Sequence, residues 1–121
     1  MQRINLRRGL GRKLKIHRKA VLVDFPALSW VQVEGGGAAG RVKKKTLGGG
    51  RSVRMLEVSP RWNEMEWCAK AHVAYVTSGR LRLEFEGQGP MQIGRGMGFW
   101  IPPGCPHRAS CSRTTTLFMV D

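Results

Sequence analysis

Residues 77–87 read Thr77-Ser-Gly-Arg-Leu-Arg-Leu-Glu-Phe-Glu-Gly87. From Arg80 to Glu86 charged and apolar side chains alternate at every position, the period of a strand with one face in a core and one in water. The Thr77-Ser78-Gly79 turn precedes it, and Gly87-Gln-Gly-Pro90 ends it. The same punctuation continues outward. Toward the C-terminus come Met91-Gln-Ile93, a Gly94-Arg-Gly96 turn, Phe99-Trp-Ile101 running into Pro102-Pro-Gly104, and a closing apolar stretch from Thr114 to Val120. Toward the N-terminus, Glu66 to Val76 has no breaker and reads as one continuous strand. Ser52–Val58 is a strand closed by Ser59-Pro60, and Arg41–Leu47 is a basic one ended by Gly48-Gly-Gly50. Gly35–Gly40 reads as a flexible loop, and Ala20–Asp24 as a strand-length apolar run closed by Phe25-Pro26. No repeat and no long helical period interrupts this pattern. Eight or so short antiparallel strands imply an all-β sandwich or barrel.

Composition agrees. A chain of 121 residues and 13.5 kDa holds one domain, and 41% hydrophobic residues allow a modest core. Sixteen glycines and six prolines suit turns and disfavour a helical bundle. No apolar run approaches the roughly 18 residues of a membrane span. The formal charge of +13 is concentrated: residues 1–20 carry eight Lys or Arg and no acid, so the remainder is only mildly basic. Residues 1–20 are therefore read as a basic, loosely tethered extension and residues 21–121 as the folded body. Such a head can bind nucleic acid or another acidic surface through its phosphates or carboxylates, although it lacks spaced aromatics for base stacking. No secretory h-region follows Met1, and three cysteines (Cys68, Cys105, Cys111) make no disulfide framework, so a cytoplasmic location is expected. A Cys105–Cys111 bridge is left open.

The stretch from Pro60 through Cys111 resembles the two motifs of the cupin superfamily. The second, G-x5-P-x-G-x2-H-x3-N, is matched by Gly96, Pro102, Gly104 and His107, with Cys111 where the asparagine stands. The first, G-x5-H-x-H-x3/4-E-x6-G, closes on Gly79. Counting back, His72 takes the glutamate position, Glu66 and Cys68 take the two histidine positions, and Pro60 takes the opening glycine. The resemblance implies a jelly-roll barrel of six to eight strands, commonly dimeric, with a divalent metal held at those four positions. The chain offers Glu66, Cys68, His72 and His107 there.

Each of the four is a competent ligand type. Positions 66, 68 and 72 share parity, so on a continuous strand they would leave one face. A thiolate and two imidazoles favour zinc or iron(II) over magnesium or calcium, with nickel and copper left open. Lys70 shares that parity and is a candidate substrate clamp, and Arg54 and Trp100 are further candidates for a pocket lining. Trp62 and Trp67 flank the first motif as caps of the barrel, and Cys105 and Cys111 are read as packing. There is no P-loop, no nucleophile elbow, no CxxC pair and no glycosidase carboxylate pair. The expected function is a small cupin that binds a small organic ligand, an anion among the candidates, at a metal site inside the barrel. The resemblance allows a dioxygenase, an isomerase or a lyase. The alternative is a non-catalytic ligand-sensing module whose basic tail contacts a polyanion. A homodimer is expected in either case.

Overall fold

The computed structural model describes residues 20–121, so the expectation for the basic head falls on residues 1–19, outside that range. Nine strands form two antiparallel sheets. They are β1 (Val31–Gly35), β2 (Ala38–Gly48), β3 (Arg51–Val58), β4 (His72–Ser78), β5 (Arg80–Phe85), β6 (Met91–Gly94), β7 (Gly98–Ile101), β8 (His107–Ser110) and β9 (Thr115–Val120). The larger sheet has the order β1-β2-β3-β9-β4-β7 and the smaller the order β6-β5-β8. The two face each other as a jelly-roll barrel, an all-β architecture as the strand pattern required and of the kind the cupin resemblance implied. No helix among the described residues is long and apolar enough to cross a membrane.

Alternation decides what lies between the sheets. On β5, Leu81 and Leu83 are 2% exposed, while the intervening Arg82 points outward, its guanidinium 3.9 Å from the Glu84 carboxylate. They meet Ala74, Val76, Ile93, Ile101, Leu117 and Met119 in one apolar cluster. Gly79 links β4 to β5 with φ +83, and a Cβ there would run into the backbone and side chain at Thr114 and Thr115. Only glycine serves both demands. Trp62 caps the barrel from the side, 6% exposed. A Cβ on Gly40 would stand only 2.8 Å from its ring, so that glycine is what lets the indole reach the sheet.

Four stretches differ from the sequence expectation. Val31–Gly35 is an unforeseen strand, and Gly35–Gly40 is the tight β1–β2 hairpin rather than a loose loop. Ala20–Asp24 forms no strand. It leads into a single 3₁₀ turn, Phe25–Ala27, nucleated by Pro26. That turn rests on the outside of the larger sheet: Phe25 packs edge-on against Phe118 at 5.9 Å, and Lys43 Nζ donates to the Phe25 carbonyl at 2.8 Å.

The fourth difference matters for the site. Glu66–Val76 is not one strand, because the chain changes sheets within it. Residues 62–69 run beside β8, tied by Glu64 N–H to Ala109 O at 2.9 Å and by Cys68 and His107 exchanging both backbone bonds at 2.8 and 2.9 Å. From His72 onward the chain pairs with β7 and β9 instead. Side-chain parity does not survive such a crossing.

Candidate metal centre

The end of the barrel near that crossing is polar. On the larger sheet Val53, Val120 and Val73 are register partners across β3, β9 and β4. One residue further along lies the inward row of Ser52, Asp121, His72 and, on β7, Ile101. Ser52 and Asp121 continue the ladder, exchanging backbone bonds of 3.2 and 3.0 Å. Asp121 Oδ1 lies 2.9 Å from His72 Nδ1, so the ring donates its Nδ1–H to the carboxylate and keeps a lone pair on Nε2. Arg54, also inward, grips the same carboxylate: Nη2 donates to Oδ1 at 3.1 Å and Nε lies 2.6 Å from Oδ2. The Nε–H is not aligned with that oxygen, which leaves Nε without a well-directed acceptor. The close approach is therefore an ion pair more than a second hydrogen bond.

His107 enters from the opposite sheet. The Pro102-Pro-Gly104 turn delivers it to the start of β8, where it is 4% exposed. Its Nδ1–H donates to the Cys105 carbonyl at 2.8 Å, again leaving Nε2 unprotonated. The two imidazoles stand edge to face, with centroids 5.1 Å apart and planes at 82°. Cys68, backbone-paired to His107, places Sγ 3.9 Å from His72 Nε2. One donor atom from each of Cys68, His72 and His107 lies within 4.8 Å of the other two. A tetrahedral zinc-type ion would hold nitrogen and sulfur donors about 3.5 Å apart, given bonds of about 2.0–2.3 Å. The donor set fits a divalent transition metal.

Residues 49–120 match the family described as AraC-like ligand binding domain, a cupin-type domain. The chain belongs to this family of cupins. Solved structures that share its fold include the polyketide cyclase RemF from Streptomyces resistomycificus, 24% identical, with 84% of this chain and 78% of that chain covered and a TM-score of 0.69. An ectoine synthase from P. lautus is 13% identical, with 84% and 76% covered and a TM-score of 0.69. An RmlC-like cupin from Shewanella frigidimarina is 14% identical, with 84% and 89% covered and a TM-score of 0.67. None of the curated proteins matches the chain in sequence.

In this cupin the four positions drawn from the motifs do not all converge. Cys68, His72 and His107 do. Glu66 is exposed, because the chain bends there and turns the carboxylate to solvent. The carboxylate on the cavity wall is Glu64, and both its oxygens are taken: Oε1 accepts from Ala109 N–H at 2.9 Å and Oε2 from Trp62 Nε1–H at 3.3 Å. Lys70 is exposed on the same connecting segment, and Trp100 is 68% exposed on the outside of β7. Arg54 does face inward, with its guanidinium committed to Asp121. Cys105 packs against the core, and Cys111 donates its thiol to the Ser59 carbonyl at 3.0 Å, so both cysteines are free. Trp67 lies under the Arg108 guanidinium at 4.3 Å rather than over the cavity.

Asp121 is the residue that sequence reading passed over. Its signal was present: Thr115, Leu117 and Met119 are the buried positions of β9, and Asp121 continues their parity. An acid on the inward face of a core strand needs a partner. Electrostatics follow from that pairing. Burial, with the Arg54 charge adding to it, pushes the His72 pKa below its ordinary 6.5 against the pull of Asp121, so the ring is neutral and able to ligate at neutral pH. Burial works to raise Asp121, but Arg54 and His72 outweigh it and hold the carboxyl below its ordinary 3.8. Beyond the cluster, the interior contains a cavity of about 50 Å³ bounded by Leu56, Trp62, Leu83, Phe99, Met119 and the two histidines among others. That is room for a few waters.

Proposed function

We propose that this cupin binds one divalent transition metal, zinc or iron(II), through Cys68, His72 and His107, and uses it to hold a small organic ligand at the polar end of the barrel. The convergence of one thiol and two imidazoles on a single point, with both rings fixed through Nδ1, is the observation that carries this reading. Such a metal, when bound, acts as a Lewis acid toward ligand oxygens or activates dioxygen. The chain's own part is to present the donors, exclude bulk water with Trp62 and Phe99, and leave at least one position on the ion to the ligand. Three protein ligands with an open fourth position is the arrangement of catalytic rather than structural zinc sites. On this reading the chemistry is dioxygenation, isomerisation or lyase chemistry on a compact substrate, since the cavity is small and mostly apolar.

A second reading is favoured by the family itself, whose description is a ligand-binding domain. There the barrel senses a ligand without turning it over. In either case a homodimer would cover the apolar residues exposed on the outer face of β4 and β7, with Val73 50%, Tyr75 48% and Trp100 68% exposed. The free cysteines suit a reducing cytoplasm.

Elemental analysis of protein purified without a metal-affinity tag tests the first claim. Near one equivalent of zinc or iron is expected, and a metal-free protein that takes up neither Zn(II) nor Fe(II) on titration would overturn it. Ligand-dependent change in the coordination shell without turnover would favour the sensing module.

A further inference from the structure

Within the metal reading above, one inward acid remains unassigned. We infer that Asp121 is the positioning residue of the centre: it locks His72 as the Nδ1–H tautomer and aims Nε2 at the ion, and Arg54 holds Asp121 in place. Four observations carry this. Asp121 Oδ1 accepts from His72 Nδ1 at 2.9 Å. The carboxylate cannot swing away, because its backbone is fixed by the reciprocal bonds to Ser52 and its oxygens by Arg54 and Ser52 Oγ, at 3.1 and 3.4 Å. His72 Nε2 is thereby left facing the Cys68 sulfur. Finally, Asp121 itself is outside the group of converging donor atoms, so it acts through His72 and not on the ion.

The chemistry is that of a carboxylate–histidine–metal relay, in which the acid fixes ring orientation and raises the basicity of the ligating nitrogen. What is particular to this chain is how the relay is assembled. A histidine stands at the position where the motif has glutamate, and the carboxylate charge has moved one shell outward, onto the neighbouring strand β9. The same arrangement gives Arg54 its role. A guanidinium committed to Asp121 holds that carboxylate against His72, and the inward charges of the row are neutralised within it.

The decisive experiment reads the tautomer directly. Three histidines in the chain make assignment by single substitution practicable. Two-bond ¹⁵N–¹H correlation spectra of metal-free, ¹⁵N-histidine-labelled protein should show His72 as the Nδ1–H tautomer. In Asp121→Ala it should shift toward Nε2–H, while His107, held by the Cys105 carbonyl, stays unchanged. Zn(II) affinity should fall on the order of 10–100-fold. Asp121→Asn keeps an acceptor oxygen, and should retain the Nδ1–H tautomer and lose less affinity than the alanine variant. Because Asp121→Ala orphans the Arg54 charge, the double variant R54M/D121A is measured beside it, with the same tautomer shift expected. A wild-type His72 that is already Nε2–H, or one that stays Nδ1–H in both alanine variants, would overturn the inference. The tautomer is read without metal, so failure of the wild type to bind Zn(II) would defeat the metal reading while a shift in the alanine variants would still establish the positioning role.

Discussion

The barrel interior has two ends built by the same strands from opposite materials. At one end β4 and β9 contribute Val76 and Leu117, which pack on Leu81 and Ile93 of the smaller sheet. At the other, four residues further along, the same two strands contribute His72 and Asp121, facing His107 and Cys68. The first end depends on volume and apolar area and tolerates no polar group without a partner. The second is a chain of partnered polar groups, Arg54 to Asp121 to His72, in which each depends on the next. The contrast teaches that stability and chemistry are divided along the barrel axis, so they should respond to different substitutions.

The largest effect on folding should come from the apolar end. Leu83→Ala removes a side chain that is 2% exposed and should destabilise the fold by roughly 2–5 kcal/mol, read as a drop in the thermal or urea midpoint. Zn(II) affinity measured well below that midpoint should be unchanged. A parallel loss of affinity would mean that the two ends are not separable.

The polar end should behave in reverse. His107→Ala should abolish metal retention, read by elemental analysis and Zn(II) titration, because this imidazole is the donor most firmly preset by its turn and its Cys105 bond. Cys68→Ser should weaken binding by a smaller factor. That factor should shrink as pH falls, since a thiol must lose a proton to ligate; measurement at two pH values decides it. Full retention in His107→Ala with loss in Cys68→Ser would reverse this ranking.

Acidification sharpens the comparison further. The His72 pKa lies below 6.5 in the folded, metal-free protein, so unfolding takes up a proton as pH falls below that value. The contribution from this ring is complete above pH 6.5 and is lost as pH drops through 6.5 toward the folded value. Metal-free wild type should therefore lose stability between pH 7.5 and 5.5 by urea titration, and His72→Gln should lose less over that window. Smallest of all is Glu66→Gln. An exposed carboxylate outside the cluster should change stability by no more than about 0.5 kcal/mol, and Zn(II) affinity should not move. A clear loss of affinity would bring Glu66 into the site.

The sequence by itself determined the class of fold and most of its strands. Alternation from Arg80 to Glu86 and the glycine and proline punctuation are local properties, imposed by the two-residue period of a pleated chain and by φ preferences that act within a few residues. His107 was legible for the same reason, since a rigid Pro-Pro-Gly turn delivers it. The sheet change between Ala69 and His72 was not legible, because no breaker marks it. It is decided by which partners are free: residues 62–69 find β8, and residues from His72 onward find β7 and β9. A bend at Glu66 turned that carboxylate outward, although it shares parity with Cys68 and His72. The crossing brought those two together across the interior instead of along one face. Asp121 was half legible, through its parity on β9, but its partners Arg54 and His72 lie 67 and 49 residues away in the chain. Long-range pairing of that kind is a property of strand register, and only the assembled barrel sets the register.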